Sequence, residues 1–221
     1  MEIIQCPLFS NISQEECQRI LLCFGANRRH FLPGELLSFQ KYQQGKIGLL
    51  LSGRADVVRL DYDGSRTLME PLEEGCVFGE ALAFSGGSCE QLYLECHTRC
   101  EILFFDYDHF TKRCSNACAH HNQLLQNLFS LLSKKVLIMS CRVEVLSHRS
   151  IRAKLLCYFR ITAAAAQNTS FELPFSITAL SEYICADRSA MMRELKSLKE
   201  EGYLTMAKRH VTLLPPATTL P

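Results

Sequence analysis

The stretch that decides the fold is Phe175–Leu214, FSITALSEYICADRSAMMRELKSLKEEGYLTMAKRHVTLL. It divides into a helix (Ile177–Ile184), a three-residue turn (Cys185–Asp187), a second helix (Arg188–Glu201) and a hairpin (Tyr203–Leu214). Asp187 is placed to cap the second helix and Gly202 to end it. On that helix Met191, Leu195 and Leu198 are spaced four and three apart and face inward, so Arg188, Ser189, Met192, Arg193 and Lys196 share the outward face. An arginine there can bond guanine O6 and N7 bidentately in the major groove, and a methionine methyl can lie on a thymine methyl. The turn Lys208-Arg209-His210 between two apolar strands suits a wing that touches phosphate. The pattern is that of a winged helix-turn-helix.

Upstream, glycine is absent from Phe110 to Gly202. Leu124, Leu131, Ile138 and Val145 are seven residues apart, as are Leu125, Leu132, Met139 and Leu146, with Leu128 between the columns. Two adjacent columns make one broad apolar stripe on a long helix, expected from about Ser115 to Leu146 and about 50 Å long. Such a stripe can cover a neighbouring domain on one side and pair with its own copy on the other. Ser147-His148 breaks it. A new amphipathic helix begins near Ser150 with Ile151, Leu155, Cys157 and Phe159, and Ala163–Ala166 into Gln167–Ser170 reads as a fraying helix end and a loop.

The N-terminal half has another period. Ser13-Gln14-Glu15-Glu16 has capping-box spacing, followed by Cys17, Ile20, Leu21 and Phe24 on one helical face. From Pro33 to about Asp106, short β-rich runs (Ile47–Leu51, Ala55–Leu60, Leu92–Cys96, Glu101–Phe105) are cut by glycines, which argues an antiparallel sandwich or barrel. The chain is therefore α+β.

The net charge of +1 hides an asymmetry. Residues 146–221 hold ten Lys/Arg against six Asp/Glu, and residues 1–145 fourteen against seventeen, so the basic excess sits with the candidate DNA reader. No run is long enough to span a membrane, and Met1–Gln5 lacks the basic start of a signal peptide. The twelve scattered cysteines therefore read as reduced thiols of a cytoplasmic protein.

In this order the elements resemble the Crp–Fnr family, from about Pro7 to Leu214. The residues that carry the likeness are Phe31-Leu32-Pro33-Gly34-Glu35, Leu49-Leu50-Leu51-Ser52-Gly53-Arg54, Gly75-Cys76-Val77-Phe78-Gly79-Glu80, and Asp187-Arg188-Ser189 with Arg193. The resemblance implies a double-stranded β-roll of the cyclic-nucleotide-binding kind with its dimerisation helix (1–146, the helix from about 110) and a DNA-binding domain (147–221). It implies a homodimer on an inverted repeat of double-stranded DNA, with RNA polymerase as a further partner and an allosteric effector at the roll. Arg188 and Arg193 would be the base-reading arginines. Ser189 stands where many members carry a glutamate, which changes the expected half-site.

Gly79-Glu80 matches the start of the family's cyclic-nucleotide cassette, and Phe78, Gly79, Glu80, Cys89 and Glu90 are the candidate effector pocket. The family's phosphate-pairing arginine falls at Cys89. No Lys or Arg occurs between Arg66 and Arg99, whereas Glu70, Glu73, Glu74, Glu80, Glu90 and Glu95 do. A phosphate there would lose its partner and meet like charge, so a cyclic nucleotide is not the expected effector, and the sequence requires no cofactor. Cys6, Cys17 and Cys23 are too widely spaced for the family's iron–sulfur pattern. Cys114, Cys118 and His121, spaced four and three on a helix, form an alternative redox, soft-metal or haem sensor; ordinary core packing fits the same spacing. A cupin-type metalloenzyme would need an H-x-H arrangement, but the roll from Pro33 to Asp106 holds only His97. No catalytic constellation is visible.

Overall fold

The computed structural model describes residues 3–42, 45–85, 90–106, 108 and 119–218. They divide into two compact units, Met1–Lys134 and Lys135–Pro221.

The first unit opens with 3-10 turns at Ile3–Gln5 and Pro7–Phe9, then α1 (Gln14–Cys23). The expected capping box is present: the Glu16 amide donates to Ser13 Oγ at 3.4 Å, and the Ser13 amide to Glu16 Oε2 at 3.2 Å. There follow β1 (Asn27–Phe31), β2 (Leu36–Ser38), the single turn α2 (Phe39–Tyr42), β3 (Lys46–Ser52), β4 (Ala55–Leu60), β5 (Arg66–Leu72), β6 (Val77–Phe78), α3 (Glu80–Ser85), β7 (Leu92–Cys96) and β8 (Cys100–Asp106). The strands make two four-stranded antiparallel sheets, β1-β8-β3-β6 and β2-β7-β4-β5.

Strands β3 and β8 are apolar almost throughout because both of their faces are covered. Side chains alternate across a strand. Leu50, Ile102 and Phe104 accordingly enter the core between the sheets, with Leu37, Ala55, Val57, Leu72 and Leu94. Ile47, Leu49, Leu51, Leu103 and Phe105 face the other way, onto Leu8, Phe9, Ile20 and Phe24.

That outer core also receives Leu124 and Leu128 of the long helix α4 (Ala119–Ser147), with Leu125, Leu131 and Leu132 partly buried. Asn127 Nδ2 fastens the helix by donating to Leu8 O at 2.9 Å and Ser10 O at 2.7 Å. The stripe read from the heptads is therefore not uniform. Its early positions are buried, whereas Ile138 and Met139 are exposed along with Phe129, Val136, Leu137 and Val143.

In the second unit Ser150 caps α5 (Ile151–Ala166), its hydroxyl accepting the Ala153 amide at 3.1 Å. The helix end expected at Ala163–Ala166 is where the helix stops, all four alanines being helical. Four residues of the highest helix propensity carry the helix to Gln167, whose left-handed φ of 50° ends it. Nor is the loop beyond it wholly irregular, for Ser170–Glu172 forms β9. Then come α6 (Ile177–Tyr183), α7 (Arg188–Glu200), β10 (Leu204–Ala207), β11 (His210–Leu213) and the final turn α8 (Pro215–Thr218). The sheet order is β10-β11-β9. Leu155, Phe159, Leu173, Leu180, Ile184, Met191, Leu195, Leu198, Leu204 and Val211 are buried in this unit.

Candidate nucleic-acid interface and sensor site

Asp187 is the N-cap of α7, Oδ1 accepting the Ala190 amide at 2.8 Å. Gly202 follows the helix with φ +76°, a conformation that suits glycine. Met191, Leu195 and Leu198 are buried, which turns the opposite face outward. Arg188, Ser189, Met192, Arg193 and Lys196 are all exposed on it. Lys196 Nζ lies 3.7 Å from Glu200 Oε1. At the hairpin tip Lys208 is exposed and left-handed at φ 54°. Arg209 differs from the sequence reading: it donates to Glu172 Oε1 of β9 at 2.5 Å, so its charge is shared within the sheet. His210 Nε2 is 2.8 Å from Ser170 Oγ. Lys208 is the more available cation of the pair.

The end of α7 is tied to α5. Arg152 bonds both carboxylate oxygens of Glu201, its NH1 at 2.8 Å from Oε1, and its guanidinium carbon sits 5.1 Å from the Tyr203 ring centre. The hydrogen bond from Arg152, then that from Ser197, lowers the Glu201 carboxyl to about 2.

Within the first unit, the described candidate pocket residues lie in different settings. Phe78 is fully buried between the sheets, Glu80 is buried at the start of α3, and Gly79 between them has φ +78°. Glu90 is exposed and accepts from Gln40 Nε2 at 3.4 Å. Cys89 lies outside the described residues. The space between the sheets holds a chain of edge-to-face rings: Phe39 to Phe78 at 6.2 Å, Phe78 to Phe104 at 6.2 Å and Phe104 to Phe31 at 6.4 Å. Gly48 makes room for it, since a Cβ there would lie 2.3 Å from Phe78 Cζ. An open hollow of about 510 Å³ lies among Gly53, Arg54, Glu73, Glu74 and Thr98.

Cys114 and Cys118, and the side chain of His121, lie outside the described residues. Of the cysteines that are described, burial raises Cys6 to about 11 and raises Cys17. Burial, then the neighbouring Cys100, pushes Cys96 up to about 12. These are protonated core thiols, poor as nucleophiles or metal ligands.

One polar cluster was not visible in the sequence. Asp56 and Glu95 stand opposite each other on β4 and β7. Arg66 NH2 donates to Asp56 Oδ2 at 3.1 Å and Glu95 Oε2 at 2.7 Å, and His97 Nε2 lies 2.7 Å from Asp56 Oδ2. Donor atoms of Asp56, Glu95 and His97 fall within 4.8 Å of one another, but Arg66 already bridges both carboxylates, which makes this an ion-pair network. Cross-strand register, not spacing along the chain, brings the two carboxylates together.

A family model described as a cyclic nucleotide-binding domain matches residues 28–117. The chain is 23% identical over 201 residues to the global nitrogen regulator of Nostoc sp., which spans 88% of this chain and 85% of that protein. Among solved structures, CprK in complex with OCPA superposes with a TM-score of 0.69 at 14% identity, covering 88% of this chain and 90% of that one. The catabolite activator protein of Thermus thermophilus gives 0.52 at 19% identity, covering 96% and 95%. No helix among the described residues is long and apolar enough to cross a membrane.

Proposed function

We propose that this Crp–Fnr-type transcription regulator binds an inverted repeat in double-stranded DNA as a homodimer, reading base edges with α7 and touching phosphate with the β10–β11 turn. One observation carries the reading: Arg188, Ser189, Met192, Arg193 and Lys196 stand exposed on one face of a capped helix whose other face is anchored by Met191, Leu195 and Leu198. A rigid helix with exposed arginines near its N-terminus is what major-groove reading requires. Residues 1–146 act as sensor and dimerisation element and 147–221 as the DNA-binding domain, with RNA polymerase as the further partner and the cytoplasm as the place of action.

The dimer contact is the exposed run of α4, where Val136, Leu137, Ile138, Met139 and Val143 are each more than 60% exposed. Of these, Val136, Met139 and Val143 are spaced three and four apart and share one face, and an exposed apolar face of this kind favours pairing with a second copy. The signal acts at the roll and is not a cyclic nucleotide. Supporting this are the stretch from Thr67 to Thr98, which holds no Lys or Arg, and the ring chain of Phe31, Phe39, Phe78 and Phe104 between the sheets.

Selection from random duplex DNA tests the proposal. The expected product is a palindromic consensus whose half-site centres are one helical turn, about 34 Å, apart. Arg193→Ala should relax the preference at one base pair and cost about 1–3 kcal/mol, whereas Lys208→Ala should weaken all sequences alike. Recovery of no palindrome refutes the reading.

A further inference from the structure

The carbonyl end of α6 shows how the reading motif is mounted. A helix leaves its last carbonyls without intrahelical donors, and buried ones must find partners. Leu180 O accepts the Ile184 amide at 3.0 Å, Ser181 O the Ala186 amide at 2.9 Å and Glu182 O the Cys185 amide at 3.1 Å. The next two carbonyls are met by side chains of other helices. Arg142 Nε of α4 donates to Tyr183 O at 3.2 Å, and Lys154 Nζ of α5 donates to Ile184 O at 3.0 Å.

Arg142 makes a second contact, its guanidinium carbon 4.4 Å from the Tyr183 ring centre. That ring is buried against Phe175 at 5.3 Å and Tyr158 at 5.5 Å, so it cannot swing with the guanidinium. A flat cation held by both a carbonyl and a ring face has one orientation. Both cations also sit where the helix dipole is negative. Beyond them the chain turns left-handed at Cys185, φ 51°, and reaches the cap of α7 at Asp187.

We propose that Arg142 and Lys154 form a two-cation clasp that sets the orientation of α6, the turn and α7 on the α4–α5 pair. They are positioning residues: they touch no base, but a shift of α4 reaches α7 through them. The assignment rests on the DNA-reading function above and names the link that would regulate it. Apolar side chains of equal length would fill the same space without fixing the angle.

The test uses the full chain with Arg142→Met and Lys154→Met, and Arg142→Lys as the conservative control. Hydrogen exchange of the amides of residues 183–187 should quicken about tenfold in both methionine variants, as expected for one lost charge-assisted hydrogen bond, with β10 and β11 unchanged. On operators lengthened or shortened by one base pair between half-sites, the parent should lose about tenfold or more in affinity, and the methionine variants less than about threefold. Arg142→Lys should restore much of the parent's discrimination. Parent-like exchange in both methionine variants overturns the clasp. So does weakening that is equal at every spacing with the parent's discrimination intact, the mark of a merely structural contact. If the parent selects no inverted repeat, the DNA-reading proposal falls, and the exchange measurement alone still decides the clasp.

Discussion

Replacing Gly48 by alanine tests whether the roll is filled by its own side chains. The added Cβ would lie 2.3 Å from Phe78 Cζ and 2.6 and 2.7 Å from the two Cε atoms. Carbon atoms in ordinary contact are about 3.5–4.0 Å apart, so the ring must retreat by more than about 1 Å. It has nowhere to go, being fully buried between Phe39 and Phe104. Gly48 has no positive φ, so an alanine there meets no backbone strain, and in an open strand it would gain about 0.5–1 kcal/mol. Overpacking costs about 1–3 kcal/mol, which leaves a net loss of about 0–2.5 kcal/mol for Gly48→Ala. Phe78→Ala alone should cost about 3–5 kcal/mol through the cavity it opens. In the double variant the methyl group enters the space of the lost ring, so the two losses must not add. Urea unfolding followed by circular dichroism, suited to a chain without tryptophan, should give a coupling of at least about 1 kcal/mol. Additivity within about 0.5 kcal/mol would falsify the filled-roll argument.

Three further outcomes are expected. Calorimetry with cyclic AMP or cyclic GMP should show no binding in the micromolar range, because no Lys or Arg lies between Arg66 and Arg99; a micromolar isotherm for either would overturn that reading. Asp187→Ala should destabilise the second unit by about 1 kcal/mol through loss of its bond to the Ala190 amide, and an unchanged unfolding midpoint would remove the cap from the account of α7. The Glu201 carboxyl should titrate near 2 by carbon-detected NMR and rise toward the ordinary range in Arg152→Met, the Ser197 bond remaining. Because the folded value is the depressed one, the stabilising contribution is complete above the ordinary value of 4.5 and is lost as pH falls from there toward 2. A midpoint that ignores Arg152 would assign the shift elsewhere.

What could be read from the chain was what neighbours in sequence decide. Ser13 with Glu16 and Asp187 each cap a helix within three residues, as local chemistry places them, and Ser150 caps the helix expected to begin near it. The inward spacing of Met191, Leu195 and Leu198 is likewise a property of one helix. Strand β9 was not legible, because Ser170–Glu172 is short and mostly polar and becomes a strand only when Phe171 pairs with Val211 of β11. Local propensity calls such a segment a loop; the partner decides otherwise. For α4 the heptad columns announced a stripe, but not that Leu124 and Leu128 would be covered by Leu8 and Phe9 while Ile138 and Met139 stayed bare.

The outward face of α7 followed from the same local periodicity, so five of the candidate DNA contacts could be named in advance. Arg209 could not be judged that way. Glu172, which holds it, comes from the strand that local propensity had hidden, so one missed element carried its error into the site. The roll obeys the same rule. Phe78 adjoins Gly79-Glu80 in the chain, but the room for its ring is made by Gly48, thirty residues earlier and across the sheet. Arg142 and Tyr183 are 41 residues apart, and neither stands out in a helical pattern. A contact surface can be written in one helix, because its residues need share only a face. The coupling of that surface to a distant signal needs a meeting of elements, and the meeting exists only once the chain has folded.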